Sequence, residues 1–145
     1  MGEIMKKESG FTLVEILATI TILGVIAVVA VPNILGVVKR NKDKTYIEDA
    51  KKLVSLVEYQ FRSGTNKTVP QIVCIKDLET DEFETAPNGG SYDENNSCVK
   101  ITISNNEYKY MVTIKEKYES RTRGIEAVDS DDLYKDDVFS KIKNF

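Results

Sequence analysis

From Ile16 to Val38 the chain carries no charged residue over 23 positions, and nothing else in it limits the fold so strongly. As an α-helix, 23 residues span about 34 Å, enough to cross roughly 30 Å of hydrocarbon. Glu15 is the anomaly, a carboxylate just inside the apolar segment 11–38. At the centre of a membrane helix such a group costs on the order of 2.5–3.5 kcal/mol, less near the interface, and usually marks function. Its own helix offers no partner within reach, since Lys6 and Lys7 lie eight or more residues upstream. Between those lysines and the apolar segment, the small residue Gly10 precedes aromatic Phe11.

The string Lys6-Lys7-Glu8-Ser9-Gly10-Phe11-Thr12-Leu13-Val14-Glu15 closely resembles the processing site of type IV prepilins. The resemblance covers roughly residues 6–40. It implies a cytoplasmic leader, residues 1–10, which a prepilin peptidase removes by cutting between Gly10 and Phe11 and methylating the new amine of Phe11. Glu15 becomes the fifth mature residue, and the resemblance implies that it pairs with the Phe11 amine of a neighbouring subunit during assembly. It further implies that the segment from Gly24 to Pro32 can lose helical order in a filament. The implied partners are other pilin subunits, prepilin peptidase, an assembly ATPase with its platform protein machinery, and the membrane. The implied location is the inner or cytoplasmic membrane, single-pass with an exported head, and then a cell-surface pilus.

Two features of the residues pull elsewhere. Lys39, Arg40, Lys42 and Lys44 outnumber Lys6 and Lys7, so the positive-inside rule alone leans towards a cytoplasmic head. A secretory signal would use the same lysines, the apolar run from Ile16 to Ala30, and a cut after Val28-Val29-Ala30. Against that cut, Glu15 intrudes at the start of the apolar region and apolar character continues past Ala30.

After Val38 the pattern turns amphipathic. Tyr46, Ile47, Ala50, Leu53, Val54, Val57 and Phe61 recur at three- and four-residue spacing, one face of a helix. Gly64, within Ser63-Gly64-Thr65-Asn66, is the expected C-cap. One helix over residues 11–62 would reach about 78 Å, with a kink or local break expected at Pro32. Residues 64–97 read mainly as loop, with a short strand expected within 69–75 and an acidic run from Asp77 to Glu84. Val99, Ile101 and Ile103, then Tyr108, Tyr110, Val112 and Ile114, alternate around Ser104-Asn105-Asn106-Glu107 as a β-hairpin. A third strand is expected over 123–128. A short C-terminal helix is expected around Leu133, Tyr134, Val138, Phe139 and Ile142, capped by Ser130 or Asp131. The fold class is α+β: a long N-terminal helix, half transmembrane and half amphipathic, packed on a small antiparallel β-sheet head. The divisions are leader 1–10, hydrophobic helix 11–40 and head 41–145, the last split into helix 41–63, loop 64–97 and sheet with C-terminal region 98–145.

The head contains no His, which removes the commonest general base and metal ligand. Residues 41–145 hold 16 Lys and Arg against 20 Asp and Glu, an acidic balance that argues against direct nucleic-acid binding. Asp129, Asp131 and Asp132 begin like a calcium loop, but Leu133 and Tyr134 stand where a ligand and a glycine are needed. No metal, cofactor or enzymatic activity is expected. Cys74 and Cys98 are the two cysteines. In an exported head they would form a bridge worth about 3.5 kcal/mol by loop entropy; two buried thiols are the alternative. The leading reading is a structural subunit of a type IV pilus, serving adhesion, motility or DNA uptake. The alternatives are a pseudopilin of a type II secretion or competence system, and a membrane-tethered binding head that does not polymerise.

Overall fold

The computed structural model describes residues 10–145; the leader residues before Gly10 lie outside the described residues. Two compact units are resolved, residues 1–39 and 40–145. One α-helix, α1 (Leu13–Ser63), supplies the first unit and the opening of the second. Its assignment runs through Gly24 and Pro32 without interruption, so the break expected at Pro32 is not present in the single chain. A membrane-type helix tolerates proline because the freed carbonyl can be satisfied locally. The helix closes with the Gly64 amide donating to the Gln60 carbonyl at 2.9 Å. Gly64 does not take the left-handed conformation of many C-caps, since Gly89 is the described glycine with positive φ.

In the head, the second half of α1 buries Tyr46, Ile47, Ala50, Leu53, Val54, Val57 and Phe61. They belong to one core with Val99, Ile101, Tyr110, Val112, Ile114, Ile125 and Val128 from the sheet. The three- and four-residue spacing on the helix and the two-residue spacing on the strands each present one apolar face, and the two faces cover each other.

Among the described residues the sheet has six antiparallel strands: β1 (Gln71–Cys74), β2 (Ser91–Tyr92), β3 (Cys98–Ser104), β4 (Glu107–Tyr118), β5 (Arg121–Asp129) and β6 (Lys143–Asn144). Their order is β1-β3-β4-β5-β6, and β2 pairs with the end of β4. Asn105 and Asn106, at φ of 50° and 64°, form the two-residue turn of the β3–β4 hairpin. That pair of positive φ values matches the twist of the strands, and asparagine tolerates it. The register sets Val99 opposite Val112 and Ile101 opposite Tyr110. Between β4 and β5 it shifts at Val112/Ile114. There Ala127 adopts a φ of 50° and donates its amide to the Thr113 hydroxyl at 3.0 Å. Beside this bulge the strands close tightly, and a β-carbon on Gly124 would lie 1.9 Å from the Ile114 carbonyl oxygen.

The stretch 75–97 is less open than its composition suggests. Phe83, Ala86 and Tyr92 enter the core, with Phe83 and Tyr92 edge to face at 6.2 Å. Its backbone is tied to β4 through the Ser97 hydroxyl, which accepts from the Lys115 amide at 3.0 Å. Cys74 and Cys98 stand opposite each other on β1 and β3 and are joined by a disulfide. The expected C-terminal helix is instead two 3-10 turns, Ser130–Tyr134 and Val138–Lys141, followed by β6. The first is capped by Asp129, whose side chain accepts from the Asp131 amide, and not by Ser130 or Asp131. Leu133 and Val138 still reach the core, so the apolar spacing is satisfied without a full α-helical turn.

Candidate functional site: the N-terminal apolar helix

The first unit is built around the N-terminal half of α1, most of whose described apolar side chains are exposed. Leu17, Ile22, Leu23 and Val25 are all exposed, and at about 100° per residue they point to four sides of the axis. A helix that is apolar all round needs an apolar surrounding, either lipid or other helices. This helix is long and apolar enough to cross a membrane by length and composition.

Inside it the polar groups are satisfied locally. The Thr19 hydroxyl donates to the Ile16 carbonyl at 2.8 Å, and the Thr21 hydroxyl donates to the Leu17 carbonyl at 2.7 Å. At the N terminus of α1, Thr12 is the cap. Its hydroxyl accepts from the Glu15 amide at 3.2 Å, and Glu15 Oε2 accepts from the Thr12 amide at 2.9 Å and the Thr12 hydroxyl at 3.1 Å. This is a reciprocal capping box, which satisfies two of the donors that every helix start leaves unpaired. The expectation that Glu15 has no partner in its own helix is therefore corrected: Thr12 supplies two donors. The signal was present in the sequence as Thr12-Leu13-Val14-Glu15 ahead of an apolar run, the spacing of a capping box. Glu15 Oε1 makes no hydrogen bond among the described contacts, so one carboxylate oxygen stays available to an outside donor.

Gly10 and Phe11, between which the resemblance expects the cut, are exposed and precede the helix. Gly24 has open space around its α-carbon. Cys74 and Cys98 lie in the other unit and stabilise the head. The aspartates of the C-terminal turn are each committed elsewhere: Asp129 caps, Asp131 pairs with Lys109 at 3.3 Å, and Asp132 pairs with Lys135. Among the described residues no group of three His, Cys, Asp or Glu is placed to hold a metal ion.

The polar sites of the head are structural. Glu116, buried on β4, accepts from the Asn88 amide at 3.0 Å, the Gly90 amide at 3.2 Å and the Asn88 side chain at 2.8 Å, and so pins the 87–90 loop. Asp43 pairs with Arg123 at 2.6 Å, which ties α1 to β5 within the head. The Tyr92 hydroxyl donates to Asp49 at 2.6 Å. Burial raises the Asp49 carboxyl above the ordinary carboxylate range, and the bonds to Tyr92 and the nearby Lys52 only partly offset it. Burial would also raise Asp93, but Lys117 and Asn96 outweigh it and hold that carboxyl below its ordinary value.

One comparison with known proteins falls on the same end of the chain. Residues 5–31 match the family described as the prokaryotic N-terminal methylation motif. The chain is 35% identical over 65 residues to the type IV wide pilus major component PilA4 of Thermus thermophilus, covering 43% of this chain and 50% of that protein. It is 47% identical over 51 residues to type II secretion system core protein G of Klebsiella pneumoniae, covering 35% of this chain and 31% of that one. Its match to core protein G of Vibrio cholerae is 48% over 40 residues, covering 28% and 25% of the two chains. The matches span half or less of the length of these relatives. No solved structure matches. With a methylation motif on a long apolar helix and a small antiparallel head behind it, the class is defined: an α+β protein of pilin-like architecture. Within that class the chain is similar to type IV pilins and to type II secretion pseudopilins alike.

Proposed function

We propose that this chain is a structural subunit of a type IV pilus. In this reading the leader 1–10 is cut between Gly10 and Phe11 by a prepilin peptidase, which then methylates Phe11. The apolar helix holds the subunit in the membrane with the head exported, and it moves into the filament core on assembly. Energy for that transfer comes from a partner ATPase and its platform protein. The observation that carries the reading is the conjunction of a methylation motif over residues 5–31 with an apolar helix exposed on every side.

Glu15 gives the reading a mechanism. Its Oε2 is held by Thr12, while Oε1 is open to the amine of a neighbouring Phe11. A desolvated charge favours the axial stagger that neutralises it, so the pair would set subunit register. Loss of helical order between Gly24 and Pro32 would then be a property of the filament, since the single chain is helical there. Glu15→Leu is expected to preserve insertion and leader cleavage while cutting incorporation into filaments that contain wild-type subunits; Glu15→Asp is expected to be milder. Wild-type incorporation of Glu15→Leu would contradict the charge-register mechanism. Cysteines placed along residues 11–38 test polymerisation itself: a regular cross-linked ladder supports a filament, and monomers support a tethered head.

A second reading, a pseudopilin, is favoured by the two matches to type II secretion core protein G, the higher in identity though shorter. Deletion in the host separates the two. Loss of long surface fibres supports the pilus subunit, and a secretion or DNA-uptake defect with fibres intact supports the pseudopilin.

A further inference from the structure

The head has a cleft in which two of three cations make no ion pair among the described residues. It encloses about 350 Å³, and Lys42, Arg121, Arg123, Tyr118 and Asn144 contribute to its wall. Arg123 is held in place by Asp43 at 2.6 Å and lies 5.8 Å from the centre of the Tyr46 ring. Lys42 and Arg121 make no ion pair among the described residues. Glu116 also borders the cleft, but it is only 1% exposed and both its oxygens accept from Asn88 and Gly90. Its charge is directed into the loop it pins. Two free cations and an oriented guanidinium therefore face one small volume, with a phenol and an amide beside them.

The position of Lys42 in the chain suggests what would fill it. Lys42 stands four residues beyond Val38, about one helical turn past the end of the uncharged run. A residue so close to the end of a membrane helix stands at headgroup depth, where basic side chains attract anionic lipid. Guanidinium groups suit phosphate because their donors are fixed in a planar fork.

We propose that this cleft binds the phosphate of an anionic phospholipid headgroup. Lys42 and Arg121 contact the phosphate oxygens, Arg123 adds a positioned charge, and Tyr118 and Asn144 face the polar substituent of the headgroup. The proposal rests on the membrane-held subunit described above. Its consequence is a lipid that rides with the head until the subunit leaves the bilayer.

The test uses the full chain in mild detergent, titrated with phosphatidylglycerol, phosphatidylcholine or inorganic phosphate, with retained molecules counted by native mass spectrometry. The expected result is one retained phosphatidylglycerol, favoured over phosphatidylcholine by about fivefold or more. Lys42→Gln with Arg121→Gln should bring that preference to within about twofold of unity, whereas Lys39→Gln with Lys44→Gln should leave most of it. Arg121→Gln alone, at an exposed side chain that the core does not use, should lose at least half of the preference. Equal retention of the two lipids, or an unchanged preference in the Lys42/Arg121 variant, would overturn the proposal. Inorganic phosphate retained as well as the lipid would also overturn it, leaving a site for free anions. Flotation with phosphatidylcholine vesicles reports the anchor separately. Protein that floats without headgroup preference removes only the cleft; protein that fails to float removes the membrane reading.

Discussion

Leu53 and Leu13 are the same residue type on the same helix, yet Leu53 is fully buried and Leu13 is 86% exposed. Leu53 packs into a core that the head builds for itself from α1 and the sheet. Leu13 and most of the described apolar residues after it are exposed, and in the proposed reading lipid or other subunits cover them. The two ends of α1 thus divide the work. One end makes a stable domain, and the other carries apolar surface whose free energy is released only in lipid or against other subunits. Changes in the head should therefore alter stability without altering insertion or processing, and changes at the N terminus should do the reverse.

The sharpest way to break that division is Gly124→Ala. The added carbon would meet the Ile114 carbonyl oxygen at 1.9 Å, so β4 and β5 would have to part beside their bulge. The expected loss is at least about 3 kcal/mol of head stability, read from denaturant melts of the full chain in detergent. Leader cleavage and flotation with vesicles should stay at wild-type level. If flotation falls together with stability, the two regions are not independent.

Removing the disulfide comes next. Cys74 and Cys98 are 24 residues apart in sequence and bridge β1 to β3. Cys74→Ala with Cys98→Ala is expected to lower head stability by about 3.5 kcal/mol on loop-entropy grounds. Thiol labelling of denatured, unreduced wild-type protein should find neither cysteine free. Insertion should again be unaffected.

The N-terminal region was largely legible in the sequence because its signals are contiguous. A lysine pair, a glycine, an aromatic residue, a spaced glutamate and an uncharged run are all read without knowing what folds against what. Even there the Thr12–Glu15 box was missed, because the acid stood out as a foreign charge and not as a cap. In the head, periodicity located the helix face and the central hairpin, but it failed where an interaction crosses long sequence distances. Ile103 and Tyr108 follow the alternation and still lie at the exposed end of the hairpin, 53% and 41% accessible. Glu116 continues the buried alternation of Tyr110, Val112 and Ile114, and it is buried because Asn88 and Gly90, 26 to 28 residues away, supply its donors. No local pattern announces that. Phe83 and Ala86 sit in an acidic, turn-rich stretch whose composition argues for loop, yet both enter the core. Of the C-terminal apolar residues Leu133 and Val138 reach the core while Tyr134 and Phe139 stay exposed, because their spacing suits 3-10 turns as well as an α-helix.

A smaller effect sharpens the comparison from the side of the head. Burial holds the Asp49 carboxyl above its ordinary value, so the native state binds its proton more tightly than the unfolded chain does. Stability from that proton is complete below the ordinary aspartate range and is lost as pH rises through the raised value. Asn at this position keeps an acceptor for the Tyr92 hydroxyl and carries no charge. Asp49→Asn should therefore be slightly more stable than wild type at pH 7. Melts taken across pH should show the advantage vanish below about pH 4. A variant less stable than wild type at neutral pH would mean that the charged hydrogen bond outweighs burial.

The central claim is that the N-terminal helix is a processed segment, exposed within the chain because it is completed by other molecules. Mass spectrometry of the N terminus of the protein purified from its native host tests this most directly. The account predicts a mature chain that begins at Phe11 and carries one added methyl group on its amine. A chain beginning at Val31, as a secretory cut would leave it, or one retaining the residues ahead of Phe11, would contradict it.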